Sequence, residues 1–139
     1  PLFIGIKRRS ALDGADQQAL GKMLLINPKI LLLDEPTKGI DAFSKYNLAK
    51  ILENLKQKGV TIITVTHDVE FAASYADSCA FIFNGELISV NTPTEFFANN
   101  NFYTTAANRM SRGFYENAIT AEDVIDLINK NGRREENNE

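Results

Sequence analysis

The chain has 139 residues, 44% of them hydrophobic and 24% charged, with a net charge of −3. That length allows one domain with a real core, the composition is ordinary for a globular protein, and the charge gives no basis for nucleic-acid binding. No apolar run approaches the ~18 residues of a membrane span, no signal peptide opens the chain, and the single cysteine, Cys79, excludes an internal disulfide and fits a reducing compartment. The first residue is Pro1 rather than Met, which points to a fragment.

In chain order, residues 1–14 carry a small basic cluster, Lys7-Arg8-Arg9, of the kind usually solvated. Leu20, Met23 and Leu24 recur at helical spacing and predict a helix over 15–26, with Asp13 placed to cap it and Pro28 to stop it. Ile30-Leu31-Leu32-Leu33 is short, apolar and unalternating, so it predicts a strand buried on both faces. It runs into Asp34 and Glu35, then Pro36, Thr37 and Lys38-Gly39-Ile40-Asp41. Asp41 is placed to cap a helix over 42–58, striped by Leu48, Ile51, Leu52 and Leu55 and stopped by Gly59. Val60 to Thr66 is β-branched and predicts a second central strand. Strand, helix, strand with short connections is a βαβ unit, which predicts a parallel pair with a right-handed crossover.

His67 and Asp68 end the second strand as Asp34 and Glu35 end the first; Asp68 reads as a helix cap. A helix over 69–76 carries Phe71, Ala72 and Tyr75, and Cys79 reads as a small buried hydrophobe. Asn84-Gly85 between apolar runs predicts a hairpin. Thr92, Pro93 and Glu95 form a capping box for a further helix carrying Phe96 and Phe97. Residues 102–112 are a short helix or an irregular segment. Thr120 and Asp123 form a second box for a helix ending at Asn129, and Gly132 to Glu139, with no large apolar residue, is expected to be disordered.

The chemistry concentrates at the strand ends. A strand that delivers two carboxylates to the carboxyl edge of an α/β sheet brings charge to where such sheets bind ligands. Magnesium takes hard oxygen ligands and keeps several waters, so one carboxylate at a strand end can serve it. A second can position water for phosphoryl transfer. His67, the only histidine, can bridge an acid and a phosphate oxygen.

The stretch Ile30 to Asp41 resembles the Walker B motif and D-loop of the ATP-binding cassette (ABC) ATPases. The resemblance implies that Asp34 acts on the magnesium of ATP, Glu35 on the attacking water, and His67, as the switch histidine, on the γ-phosphate. Asp41 matches the aspartate that reaches the partner domain. The family's Leu-Ser-Gly-Gly-Gln signature, whose helix N-terminus binds a phosphate across the dimer, corresponds to Leu12-Asp13-Gly14-Ala15-Asp16-Gln17. Asp13, Gly14 and Gln17 are then the candidate nucleotide contacts, although Asp13 replaces serine and sets a negative charge where a phosphate should sit. No Gly-x-x-x-x-Gly-Lys-Ser/Thr occurs in the chain.

The implied fold is therefore α/β: the C-terminal half of a P-loop NTPase (RecA-like) core, with parallel strands, flanking helices, a small hairpin and C-terminal helices. The implied organisation is an ATPase part over 1–111 and a C-terminal helix and tail over 112–139. Pro93-Thr94-Glu95-Phe96-Phe97, the segment Phe102 to Arg109, and Lys38 are similar to energy-coupling-factor importer ATPases. That group uses ATP and Mg2+ and pairs two ATPase domains head to tail. They drive a transmembrane coupling subunit for metal-ion or vitamin uptake from the cytoplasmic face of the membrane. The isolated chain is expected to be inactive without the phosphate-binding loop. Two other readings are a non-catalytic regulatory or docking ABC module, and the ATPase head of a DNA-repair or chromosome-maintenance protein. Against the last, the chain shows neither coiled-coil heptads nor a basic face.

Overall fold

The structure is a computed structural model that describes residues 28–136, with side chains through residue 131. The helix expected over 15–26, and with it Asp13, Gly14 and Gln17, lies outside the described residues. Among the described residues nine elements follow one another: β1 (Ile30–Asp34), α1 (Ala42–Gln57), β2 (Thr61–Val65), α2 (Val69–Tyr75), β3 (Cys79–Phe83), β4 (Glu86–Asn91), α3 (Pro93–Ala98), α4 (Ala106–Ser111) and α5 (Ala121–Glu136). The contacts divide the chain into two compact units. One runs through Asp68 and includes Ala80–Ser89; the other joins Val69–Cys79 to the chain from Val90 onward.

The first unit holds the βαβ motif. β1 and β2 pair in parallel, from Ile30 opposite Thr61 to Asp34 opposite Val65. The helix between them is built as its sequence requires. Asp41, in extended conformation, accepts from the Ser44 N–H at 2.8 Å and caps the first turn. At the other end, Val60 N–H bonds back to Leu55 O and Gly59 N–H to Lys56 O. This Schellman closure needs the left-handed backbone that Gly59 adopts, with φ +84°. α1 buries Ala49, Leu52 and Leu55, while Ile51, expected in the stripe, is exposed at its margin.

β1 departs from expectation. Leu31 is buried, but Ile30 and Leu32 are 60% and 51% exposed, so the strand alternates instead of being sealed on both faces. A strand is buried on both sides only when layers cover both. Among the described residues, β2 is paired with β1 alone. β3 and β4 form the expected hairpin. Asn84 and Gly85 both have positive φ, 50° and 82°, as a two-residue turn that follows the strand twist demands.

The second unit is helical. α2 packs on α3, and Phe71, Ala72, Phe96 and Phe97 are buried. Phe96 and Phe97 meet edge to face with ring centroids 5.0 Å apart. The capping box of α3 is complete: Glu95 N–H reaches the Thr92 hydroxyl, and Thr92 N–H reaches the Glu95 carboxylate. Cys79 is fully buried, and desolvation pushes its thiol up to about 12, consistent with a structural residue. The open choice at 102–112 resolves into a short helix, α4. α5 begins at the Thr120–Asp123 box but continues to Glu136, through part of the stretch expected to be disordered. Arg133 to Glu136 are good helix formers with no proline among them, and they carry the helix past Gly132.

Candidate functional site

The register sets the site. Asp34 lies opposite Val65, so β1 and β2 end level, and the residues that follow each strand emerge side by side. Glu35 N–H donates to Val65 O at 2.7 Å, carrying the parallel pairing one residue beyond the strand. Glu35 then turns with φ 51°, a left-handed conformation that a residue with a Cβ adopts at a cost of about 1–2 kcal/mol. Lys38 N–H closes the following turn on Glu35 O at 3.1 Å.

From this position the Glu35 carboxylate meets the exit of β2. Its Oε2 accepts from the Thr66 hydroxyl and from the His67 N–H, each at 3.2 Å. Its Oε1 lies 3.4 Å from His67 Nε2. The Glu35 side chain is 25% exposed and that of His67 72%. An acid sheltered on one side and an imidazole open to solvent are thereby set against each other. Asp34, exposed at the end of β1, is a single hard oxygen donor, which suits a magnesium ion that keeps most of its waters. No group of three His, Cys, Asp or Glu forms a metal-holding cluster among the described residues.

The structure thus brings Glu35 and His67 into direct contact, with Asp34 next to Glu35 at the same strand end. Asp41 is occupied differently. Both its oxygens go to Ser44, one to the N–H and one to the hydroxyl at 3.3 Å. The Ser44 N–H, then the Ser44 hydroxyl and Phe43 N–H, hold its carboxyl below the usual range against a smaller opposing desolvation. Asp68, read as a cap, accepts at Oδ2 from Lys45 Nζ of α1 at 2.5 Å.

Two features escaped the sequence. Thr66, 2% exposed, links Glu35 to the Asp68 N–H, which donates to its hydroxyl at 3.0 Å. A threonine two residues ahead of a strand-terminal Asp is the available signal for such a bond. The Lys45–Asp68 pair spans two elements and leaves no signal in local spacing.

A parallel βαβ unit presenting acids and a histidine at one strand edge places the protein in the α/β class, as expected from the sequence. No family model matches the chain. It is 45% identical over 126 residues to an ABC transporter ATP-binding protein of Bacillus thuringiensis subsp. konkukian, covering 88% of this chain and 23% of that protein. It is 32% identical over 126 residues to the energy-coupling factor transporter ATP-binding protein EcfA of Methanocaldococcus jannaschii, covering 91% and 39%. Among solved structures, cbiO1 of Clostridium perfringens, part of the ABC transporter complex cbiONQ, matches with a TM-score of 0.55 and 35% identity, over 64% of this chain and 37% of that one. The chain is homologous to ABC transporter ATP-binding proteins, with energy-coupling-factor ATPases among its relatives. It spans between 23% and 39% of the length of these proteins.

Proposed function

We propose that the complete protein is the ATP-hydrolysing subunit of an ABC importer of the energy-coupling-factor type, coupling ATP binding and hydrolysis to uptake of a metal ion or vitamin. The observation that carries the reading is the Glu35–His67 contact at 3.4 Å, built on a strained Glu35 backbone. Backbone strain concentrates where a side chain must be aimed.

In this reading Glu35 orients and polarises the attacking water as general base. His67 holds Glu35 on one side and offers its exposed edge to the γ-phosphate. Asp34 would hold Mg2+, whose charge offsets that of the phosphates. Asp41, fixed at the helix N-terminus, communicates with a second ATPase domain packed head to tail. Asp13, Gly14 and Gln17 are the contacts to the nucleotide of that domain. Residues 1–111 form the ATPase part and 112–139 the C-terminal addition. A transmembrane coupling subunit holds the assembly at the cytoplasmic face of the membrane. Among the described residues no helix is long and apolar enough to cross it.

The deciding experiment is Glu35→Gln in the complete subunit. Hydrolysis should fall at least ~100-fold while ATP still binds and an ATP-bound dimer accumulates. Hydrolysis at the parental rate would sink the assignment. The 139-residue chain alone, lacking the phosphate-binding loop, should not hydrolyse Mg-ATP. A second reading, a non-catalytic regulatory module, is favoured by Asp13 in place of the signature serine. It requires that the complete protein bind no ATP.

A further inference from the structure

A buried hydroxyl at the exit of β2 bonds the Glu35 carboxylate. We propose that Thr66 is a positioning residue for Glu35, fixed in turn by the Lys45–Asp68 ion pair; the inference rests on Glu35 acting on the attacking water.

A threonine hydroxyl has a single hydrogen to donate, and an ionised carboxylate only accepts. The Asp68 N–H donates to the Thr66 oxygen at 3.0 Å. The hydroxyl hydrogen is left for Glu35 Oε2 at 3.2 Å. Thr66 is 2% exposed, so its side chain is held in one rotamer by its surroundings. The same Oε2 takes the His67 N–H at 3.2 Å. Two donors on one oxygen restrain the carboxylate and leave Oε1 as the oxygen near His67 Nε2.

The anchor continues outward. The N–H that locks the Thr66 hydroxyl belongs to Asp68, and the Asp68 carboxylate is tied to Lys45 Nζ on α1. Asp68 and Lys45 side chains are 16% and 35% exposed, a partly sheltered pair. A chain of contacts therefore runs from the helix between the strands, through the turn after β2, to the carboxylate at the end of β1. The contacts of this chain lie outside the acid–histidine pair itself. Its role is orientation: a water placed wrongly by a fraction of an ångström reacts slowly even when the base is present.

The test compares kcat with the ATP dissociation constant in the complete subunit for Thr66→Val, Thr66→Ser and Glu35→Gln. Valine keeps the branched shape and removes the donor. Thr66→Val should lower kcat about tenfold, the loss expected for one hydrogen bond to a charged group, with ATP affinity unchanged. Thr66→Ser should restore kcat to within about twofold, since the donor returns. An unchanged kcat in Thr66→Val overturns the proposal. So does a loss in which ATP affinity falls in step with kcat, or one that serine fails to rescue, because either marks a packing role. Glu35→Gln separates the two levels. If it abolishes hydrolysis while Thr66→Val does not slow it, the positioning inference alone fails; if it leaves hydrolysis intact, the parent reading fails and this one with it. Should Thr66→Val unfold the protein, Lys45→Met carries the test, with an expected kcat loss of about threefold at unchanged ATP affinity, and no loss as the contrary result.

Discussion

Glu35 and Asn108 are both polar side chains that tie distant backbone together, yet the two units use them in opposite ways. In the first unit Glu35 is a quarter exposed and its partner His67 is 72% exposed. In the second, Asn108 is fully buried. Its Nδ2 donates to Glu116 O at 2.9 Å and to Ala118 O at 3.1 Å, and its Oδ1 accepts from Arg112 at 2.9 Å. The Thr104 hydroxyl lies 3.0 Å from the same oxygen and shares its one proton with Phe97 O at 2.7 Å. Both hydrogens of the amide and its oxygen are engaged, which is how a buried polar group becomes a structural hub. His67 instead keeps a face toward solvent, and Glu35 sits on strained backbone. Saturated burial marks architecture; spare capacity at a strained strand end marks a candidate site.

The sharpest way to break this contrast is to disable each centre and read both activity and stability. In the complete subunit, Glu35→Gln should reduce hydrolysis at least ~100-fold and leave the denaturation midpoint nearly where it was. Asn108→Leu should do the reverse. It strands the carbonyls of Glu116 and Ala118 and removes the acceptor for Arg112, so a loss of about 3 kcal/mol is expected from chemical denaturation. A stable Asn108→Leu protein would mean that water replaces the amide and that the hub is not one. His67→Ala, at a largely exposed side chain, should move stability by no more than about 0.5 kcal/mol. A larger loss would make His67 a structural residue and weaken the contrast from the other side.

How much of this could be read from the chain follows the same division. The positions of Asp34, Glu35 and His67 at strand ends and of Asp41 at a helix cap were legible because such features are local, and each sits beside a break in hydrophobic pattern. Thr92 with Glu95, Asn84-Gly85 and Gly59 were legible for that reason too. Asn108 was not. Its partners lie eight and ten residues onward in irregular chain, where no period guides the eye. The exposure of Ile30 and Leu32 was also missed, because an apolar run shows what a strand can bury, not which layers are there to bury it. The extension of α5 past Asn129 was missed for a third reason: polar helix formers without an apolar stripe resemble a solvated tail.

The smallest expected effect concerns the start of α5 and tests whether a part-buried cap behaves like the saturated hub or like the open site. Asp123 accepts from the N–H groups of Thr120 at 2.8 Å and Ile119 at 3.0 Å, and its own N–H returns to the Thr120 hydroxyl at 3.1 Å. Burial pushes its carboxyl up, but the Thr120 and Ile119 N–H donors and the Thr120 hydroxyl together outweigh that and hold it below the ordinary 3.8. A carboxyl depressed on folding stabilises the folded state while it is ionised. The contribution is therefore complete above pH 3.8 and drains away as the pH falls below that value toward the folded-state pKa. Asp123→Asn keeps the shape and removes the titration. In denaturation measured from pH 6 downward, the parent should lose more stability than Asp123→Asn across the acid limb, and the two curves should converge at the lowest pH. Curves that stay parallel would mean that the Asp123 bonds do not depend on its charge, and that the cap behaves like the buried network around Asn108.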